Sequence, residues 1–257
     1  FVFFSLLLFI NSRYPFYQNI NGAWTIGYNI VNEIDEVLDI DNNNIIMAKD
    51  LEPNKRSKFL ADPFFIIIND TAFIFVENQG FKDGAKIDLF TKINDSIKYG
   101  GTVLDEEFHL SYPQVFSYDD QIFMLPETKR SNNVLLYKAI DFPHQWIIKD
   151  TLIKNVQLKD PTLLITENKY ILITCDDNLE LFMYCSDNLF NNWSECNNYK
   201  KKFGNEVRPG GRVIIKDNKF FIPMQNMDKA YGTSITLYEI IISDNYIDIV
   251  KIKENFL

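Results

Sequence analysis

Four times along the chain the same pattern of apolar and polar positions recurs. A residue followed by proline opens an apolar run, a short polar turn interrupts it, and a second apolar run follows. The units begin at Asp62-Pro63, Tyr112-Pro113, Asp160-Pro161 and Arg208-Pro209, so the prolines are spaced by 50, 48 and 48 residues. The turns are Asn69-Asp70, Asp119-Asp120, Glu167-Asn168 and Asp217-Asn218. Two strand-like runs joined by so short a polar turn predict a β-hairpin. A third strand follows in each unit, at Ile87–Phe90, Val134–Tyr137, Leu179–Phe182 and Ile235–Tyr238. Two units then share a further element, Asp141-Phe142-Pro143-His144-Gln145-Trp146 and Asp187 to Trp193, ahead of an expected outer strand. No segment carries a sustained helical period.

Three to four antiparallel strands repeated every 48 residues or so predict the blades of a β-propeller. Four repeats fill about residues 58–250. The stretch from Trp24 to Met47 leaves material for a divergent extra blade, closed by C-terminal strands around Tyr246–Ile252. The expectation is therefore an all-β, five-bladed propeller, with four blades as the alternative. Residues 21–257 form one domain in this reading. Residues 1–20 open with ten residues that are apolar except for Ser5, too short alone for a bilayer, which takes about 20 residues. They read either as the remnant of a signal or anchor segment or as a buried strand.

Composition narrows the function classes. The chain has 257 residues, 46% hydrophobic, and a formal charge of -9, with a pI of about 4.8. That field repels phosphate backbones and argues against nucleic-acid binding. Two histidines and three cysteines (Cys175, Cys185, Cys196) exclude a poly-histidine metal centre and a disulfide scaffold. The cysteines read as buried hydrophobes. Sequons at Asn69, Asn94 and Asn192 fit a secretory, lumenal or extracellular location. Contact with a membrane is expected only through a lost N-terminal anchor.

Innermost strands of a propeller face one another across the axis. The residue before each repeat proline is Asp62, Tyr112, Asp160 or Arg208. A second set follows fourteen residues after the first three prolines, at Glu77, Glu127 and Cys175, with Gln225 as the fourth counterpart. Chemically varied residues at equivalent, mutually facing positions suggest a site. Asp62, Glu127 and Asp160, with Glu77 in reserve, offer the paired carboxylates that glycoside cleavage uses as proton donor and as base or nucleophile. Arg208 would keep one of them ionised. The same oxygen donors suit a channel-bound Ca2+; no other cofactor is expected. The alternative is that the acids cap backbone groups or pair with Arg208 and Arg212. His109 reads either as a partner of a substrate hydroxyl or carboxylate, or as a structural residue. Tyr112 reads as a sugar-stacking ring or as core, and Glu206 as an extra acid or a solvated loop residue. Trp146 and Trp193 read as blade packing.

Five ordered motifs carry a resemblance: Ala61-Asp62-Pro63-Phe64, His109-Leu110-Ser111-Tyr112-Pro113, Met124-Leu125-Pro126-Glu127, Phe142-Pro143-His144-Gln145-Trp146 and Arg208-Pro209-Gly210-Gly211-Arg212. From about Trp24 to Tyr238 the chain resembles the N-terminal domain of plant glucosamine inositolphosphorylceramide transferases, and bacterial proteins of a sugar formyltransferase-like type. More distantly it is similar to the five-bladed propellers of family 43 and family 32 glycoside hydrolases. The resemblance implies Asp62 as the base or nucleophile and Asp160 as the auxiliary acid that tunes the proton donor. In the family 43 pattern the acidic Glu follows the auxiliary Asp, whereas Glu127 precedes it. The resemblance also implies a glycosyltransferase domain elsewhere, in the parent protein or a partner. Three functions are thus in view: a glycan-processing propeller, with Arg208, His109, Tyr112, Gln225 and Glu77 around the sugar; a non-catalytic glycan-binding module; and a protein-interaction scaffold.

Overall fold

The computed structural model describes residues 24–28, 45–46, 57–80, 84–94, 96–228, 232, 234–243, 246–254 and 256. The expected signal or anchor remnant over residues 1–20 lies outside them. Among the described residues no helix is long and apolar enough to cross a membrane.

Among the described residues four antiparallel sheets, each of four sequential strands, form the blades of an all-β propeller. The first comprises β3 (Phe59–Ile68), β4 (Thr71–Gln79), β5 (Ala85–Ile93) and β6 (Ser96–Leu104). The second comprises β7 (Ser111–Tyr118), β8 (Gln121–Glu127), β9 (Asn133–Asp141) and β10 (Gln145–Lys154). The third runs through β11 (Lys159–Ile165), β12 (Tyr170–Cys175), β13 (Leu181–Ser186) and β14 (Ser194–Glu195). The fourth holds β15 (Ile214–Lys216), β16 (Lys219–Asn226), β17 (Ser234–Ile242) and β18 (Ile247–Lys253).

The expected fifth blade is corrected by these pairings. Among the described residues the N-terminal stretch supplies a two-residue ladder, β1 (Ile26–Gly27) against β2 (Ile45–Ile46). The C-terminal strand that was to close such a blade pairs instead with β17, from Ile242↔Ile247 to Leu237↔Lys253. It is the fourth blade's own outer strand, because that repeat needs a fourth strand to cover β17.

Hairpin turns fix each register. Both residues of Asn69-Asp70, Asp119-Asp120 and Asp217-Asn218 take positive φ, between 48° and 59°. This left-handed pair matches the twist of the flanking strands, and Asn and Asp tolerate it at low cost. Strands between such turns are buried on both faces, so side chains alternate between two interfaces. In β8, Met124 points into the cluster shared with the first blade, and Phe123 and Leu125 into that shared with the third. One apolar cluster fills each gap between consecutive blades. A further one seats Ile26 and Ile46 on Leu60, Ile74, Val76 and Phe90 of the first blade.

A disulfide joins Cys185 at the end of β13 to Cys196 just after β14. This corrects the reading of all three cysteines as free hydrophobes; only Cys175 is a free, buried thiol. The pairing arises because β14 folds back on β13, with Cys185 opposite Ser194.

Candidate functional site

The residue–proline steps are built alike in the first three blades. In β3 the register jumps from Ala61↔Glu77 to Phe64↔Phe75, in β7 from Ser111↔Glu127 to Gln114↔Leu125, and in β11 from Lys159↔Cys175 to Thr162↔Ile173. Each jump is a β-bulge with one extra residue on the inner strand. At each bulge the residue before proline has positive φ: 48° at Asp62, 50° at Tyr112 and 46° at Asp160. Proline lacks the N–H that a ladder needs and restricts its predecessor, so bulges are where strands accept it. The left-handed backbone costs about 1–3 kcal/mol each for such residues. Two of the three side chains set this way, Asp62 and Tyr112, line the cavity described below, and the third, Asp160, is buried against Arg208.

The second set of positions lies directly across the hairpins. Glu77 pairs with Ala61, Glu127 with Ser111 and Cys175 with Lys159, each beside a bulge. In the fourth blade the Gln225 N–H donates to the Arg208 carbonyl at 2.8 Å, and the Gly210 N–H to the Pro223 carbonyl at 2.8 Å. Gly210 packs closely there: a Cβ would sit 2.7 Å from Ile235 Cδ1 and 3.3 Å from the Gln225 backbone nitrogen, so the Ile235 side chain would have to move.

These positions surround a cavity of about 600 Å³. Asp62, Glu77, His109, Tyr112, Glu127, Arg208 and Gln225 all line it. Asp160 lies fully buried behind Arg208. Its carboxylate accepts hydrogen bonds from Arg208 Nε, from Arg208 Nη2 at 3.3 Å and from Gln225 Nε2 at 3.0 Å. The Gln225 amide also donates to the Pro209 carbonyl at 2.9 Å. Asp160 is therefore a satisfied anion that fixes Arg208. Glu127 Oε2 accepts the Asp160 backbone N–H at 3.1 Å. Burial pushes the Glu127 carboxyl up to about 8, and the Asp160 charge and a hydrogen bond to its side chain add to this.

Asp62 and Glu77 form a second carboxyl pair. Burial, then the charge of Asp160, raises Asp62 to about 7, while Arg208 and a hydrogen bond from Glu77 pull it down. Glu77 is pushed up to about 9, by burial first and then by Asp62, Glu127 and Asp160. Glu77 is thus the proton donor of the pair and Asp62 the acceptor. His109 Nδ1 accepts the Ala85 N–H at 3.1 Å, which leaves the ring proton on Nε2, 3.5 Å from Glu77 Oε1. Burial first, then Arg130, lowers the imidazole pKa and keeps it neutral. Arg208 thus pairs with Asp160 and acts by its charge on Asp62 and Glu127, while Asp62, Glu77 and Glu127 all hold protons more tightly than in water.

Of the two readings of Tyr112, a sugar-stacking ring or a core residue, its burial fits the core. It is 2% exposed, and its hydroxyl bonds to Thr162 Oγ1 at 2.8 Å and donates to the Gly211 carbonyl at 2.9 Å. Arg212 Nη2 donates to the Phe65 and Val115 carbonyls, each at 2.9 Å, and so ties the first blade to the second. Glu206 lies elsewhere, accepting from Tyr238, Thr236 and Asn226 and pairing with Lys251 at 2.6 Å. Trp146 and Trp193, both partly buried, pack against the clusters between blades, Trp146 edge-on to Phe75 of the first blade, and donate to the Pro143 and Leu189 carbonyls at 2.9 and 3.0 Å. Among the described residues no group of three or more His, Cys, Asp or Glu is arranged to hold a metal ion. Sequence reasoning missed Trp24, which lines the cavity with Gly232 and Ser234; no repeat marks that position.

Residues 25–255 match the family model for the N-terminal region of glucosamine inositolphosphorylceramide transferase 1. The rice enzyme of that name (Oryza sativa subsp. japonica) is 30% identical over 214 residues, covering 78% of this chain and 29% of the relative. The Arabidopsis thaliana enzyme is 29% identical over 248 residues, covering 87% of this chain and 29% of the relative. The chain thus spans under a third of the length of these relatives. Among solved structures, an exo-1,5-alpha-L-arabinanase from a bovine ruminal metagenomic library aligns with a TM-score of 0.60 at 11% identity. That alignment covers 77% of this chain and 79% of the arabinanase. An exo-beta-1,3-galactanase from Phanerochaete chrysosporium, solved with beta-1,3-galactotriose, aligns at 0.62 and 12% identity, over 75% and 48% of the two chains. At such identities the likeness is one of fold.

Proposed function

Because the chain belongs to the family of glucosamine inositolphosphorylceramide transferase 1 N-terminal domains, we propose that its axial cavity is a carbohydrate site with glycan-processing chemistry. The observation that carries this reading is a cavity of about 600 Å³ lined by Asp62, Glu77 and Glu127 together with Arg208, with Asp160 paired to the guanidinium behind it. Paired carboxyl groups with pKa values set apart are what acid–base cleavage of a glycosidic bond requires. Asp62, the lowest of the three raised groups, is the base or nucleophile: it takes a proton from water or attacks the anomeric carbon. Glu127, held protonated to about pH 8, gives its proton to the leaving oxygen. Asp160 positions Arg208, and Arg208 with His109 and Gln225 orients sugar hydroxyls. Glu77 tunes Asp62 through their shared proton.

The relatives' name suggests an amine-bearing sugar. An ammonium group entering among Asp62, Glu77 and Glu127 would replace a proton they otherwise retain, so binding would release protons. The disulfide supports an oxidising, lumenal or extracellular setting.

Mass spectrometry of an oligosaccharide and glycolipid panel incubated with wild type and with Asp62→Asn tests the reading. Turnover by wild type, lost at least about a hundredfold in the variant, is expected. The rate should be bell-shaped in pH, with its maximum between about 7 and 8, where Asp62 is ionised and Glu127 protonated. A second reading, a binding module that serves a glycosyltransferase carried elsewhere, is favoured by the short span against the relatives. It predicts no turnover by wild type and sugar binding that survives Glu127→Gln.

A further inference from the structure

We propose that the propeller face opposite the axial cavity is N-glycosylated, at Asn69, Asn94 and Asn192, and that the glycans cover bare aliphatic residues there. Each asparagine opens an Asn-X-Ser/Thr acceptor, completed by Thr71, Ser96 and Ser194. Strand pairing brings the three to one side of the molecule. The inner strand of the first blade leaves the cavity at Asp62, and its hairpin closes at the far end, where Ile68 pairs with Thr71 across Asn69-Asp70. Thr71 pairs in turn with Ile93, and Ile93 with Ser96, so Asn94 lies in the neighbouring turn at that same end. In the third blade Lys159↔Cys175 marks the axial end of the hairpin and Ile165↔Tyr170 the far end. Tyr170 pairs with Ser186, so the connection from Ser186 to β14, which contains Asn192, also lies at the far end.

All three asparagines are exposed, with positive φ of 48°, 50° and 61°, and so stand at turn positions outside the ladders. Among the described residues their side-chain amides make no hydrogen bond; Lys92 reaches only the backbone carbonyl of Asn94. Ser96 and Ser194 are exposed and Thr71 is half-buried. Two further observations point the same way. Ile67, 63% exposed, stands just ahead of the Asn69 turn, and Ile93, 50% exposed, directly precedes Asn94. Large aliphatic side chains left bare at a blade edge favour association between molecules, and a bulky, hydrated glycan beside each covers them. The Cys185–Cys196 bridge encloses Asn192 in its loop and suits the oxidising compartments in which this modification takes place. In each transfer the asparagine Nδ2 bonds to the anomeric carbon of an oligosaccharide. The bond from that carbon to a lipid pyrophosphate breaks, the pyrophosphate leaves with the electron pair, and the amide gives up one proton. The co-reactant is a lipid-pyrophosphate-linked oligosaccharide of the secretory pathway. The cavity, at the other end of the blades, stays uncovered.

The test is secretion of the chain from mammalian cells, followed by peptide-N-glycosidase treatment and peptide mapping. Wild type is expected to gain mobility on treatment, with Asn69, Asn94 and Asn192 each converted to Asp. Gln is strained at such positive φ, so the acceptors are removed through Thr71→Val, Ser96→Ala and Ser194→Ala, which keep every asparagine. Each single variant should lose one glycan, and the triple variant should show no shift with the glycosidase. Folded wild type stripped by the glycosidase should scatter more light than the untreated chain at equal concentration, and it supplies the glycan-free protein if the triple variant is not secreted. Glycan at fewer than two of the three positions in wild type overturns the proposal, and so does light scattering that the glycosidase leaves unchanged.

Discussion

Carboxyl groups that retain protons in the folded chain and release them in the unfolded one couple stability to pH. Asp62, Glu77 and Glu127 all have raised pKa values, about 7, 9 and 8. For such groups the folded state binds more protons than the unfolded state between the two pKa values. Their contribution is complete below about pH 4 and is lost as pH rises toward 9. The urea midpoint is therefore expected to fall between pH 5 and pH 9, and Glu77→Gln should flatten the decline at its alkaline end. A midpoint that rises or stays level across that range would contradict the assignment. The axial positions of these acids were legible in the sequence because proline punctuates each inner strand and a hairpin of constant length fixes the offset to its partner. The left-handed backbone at Asp62, Tyr112 and Asp160 left no such trace, since proline usually drives its predecessor toward extended conformations. Trp24 was illegible for a different reason: it meets Gly232, some two hundred residues away in the chain.

Within a blade, the length of the outer strand decides how much support the sheet supplies itself. In the third blade β14 has two residues, where β6 has nine and β10 has ten. The Cys185–Cys196 bridge holds this short strand on β13, and the Cys196 N–H donates to the Met183 carbonyl at 2.8 Å. Closing an eleven-residue separation is worth about 3 kcal/mol by chain entropy. The Cys185→Ser, Cys196→Ser double variant should lose about that much in urea unfolding, and wild type under reductant should match it. Unchanged stability under reductant would show that the bridge does not form in solution. Hairpins and third strands could be read from alternation alone. The bridge could not, because pairing depends on β14 folding back, and two residues carry no periodicity. The choice between five blades and the alternative of four was decided at the same level, because only strand pairing assigns β18 to the fourth blade.

At the scale of the whole molecule, a ring of blades needs ties across its axis as well as apolar clusters between neighbours. Arg212 is one such tie, reaching the first blade at Phe65 and the second at Val115 from a segment that leads into the fourth. Arg212→Met should cost about 1–3 kcal/mol, by removing a charged hydrogen bond and leaving the part-buried Val115 carbonyl without its donor. Urea unfolding checks this, and a loss below about 0.5 kcal/mol would mean that the apolar clusters alone hold the ring.

The recurring proline bulge has a consequence for how such a cavity changes over time. It acts as a socket whose aim is set by the main chain and whose content is a single side chain. Three sockets here hold an acid, a phenol and an acid, in the same backbone setting. Exchanging the occupant of one socket rewrites the chemistry at the axis without rebuilding a loop. A scaffold of this design keeps its shape while its specificity drifts one residue at a time.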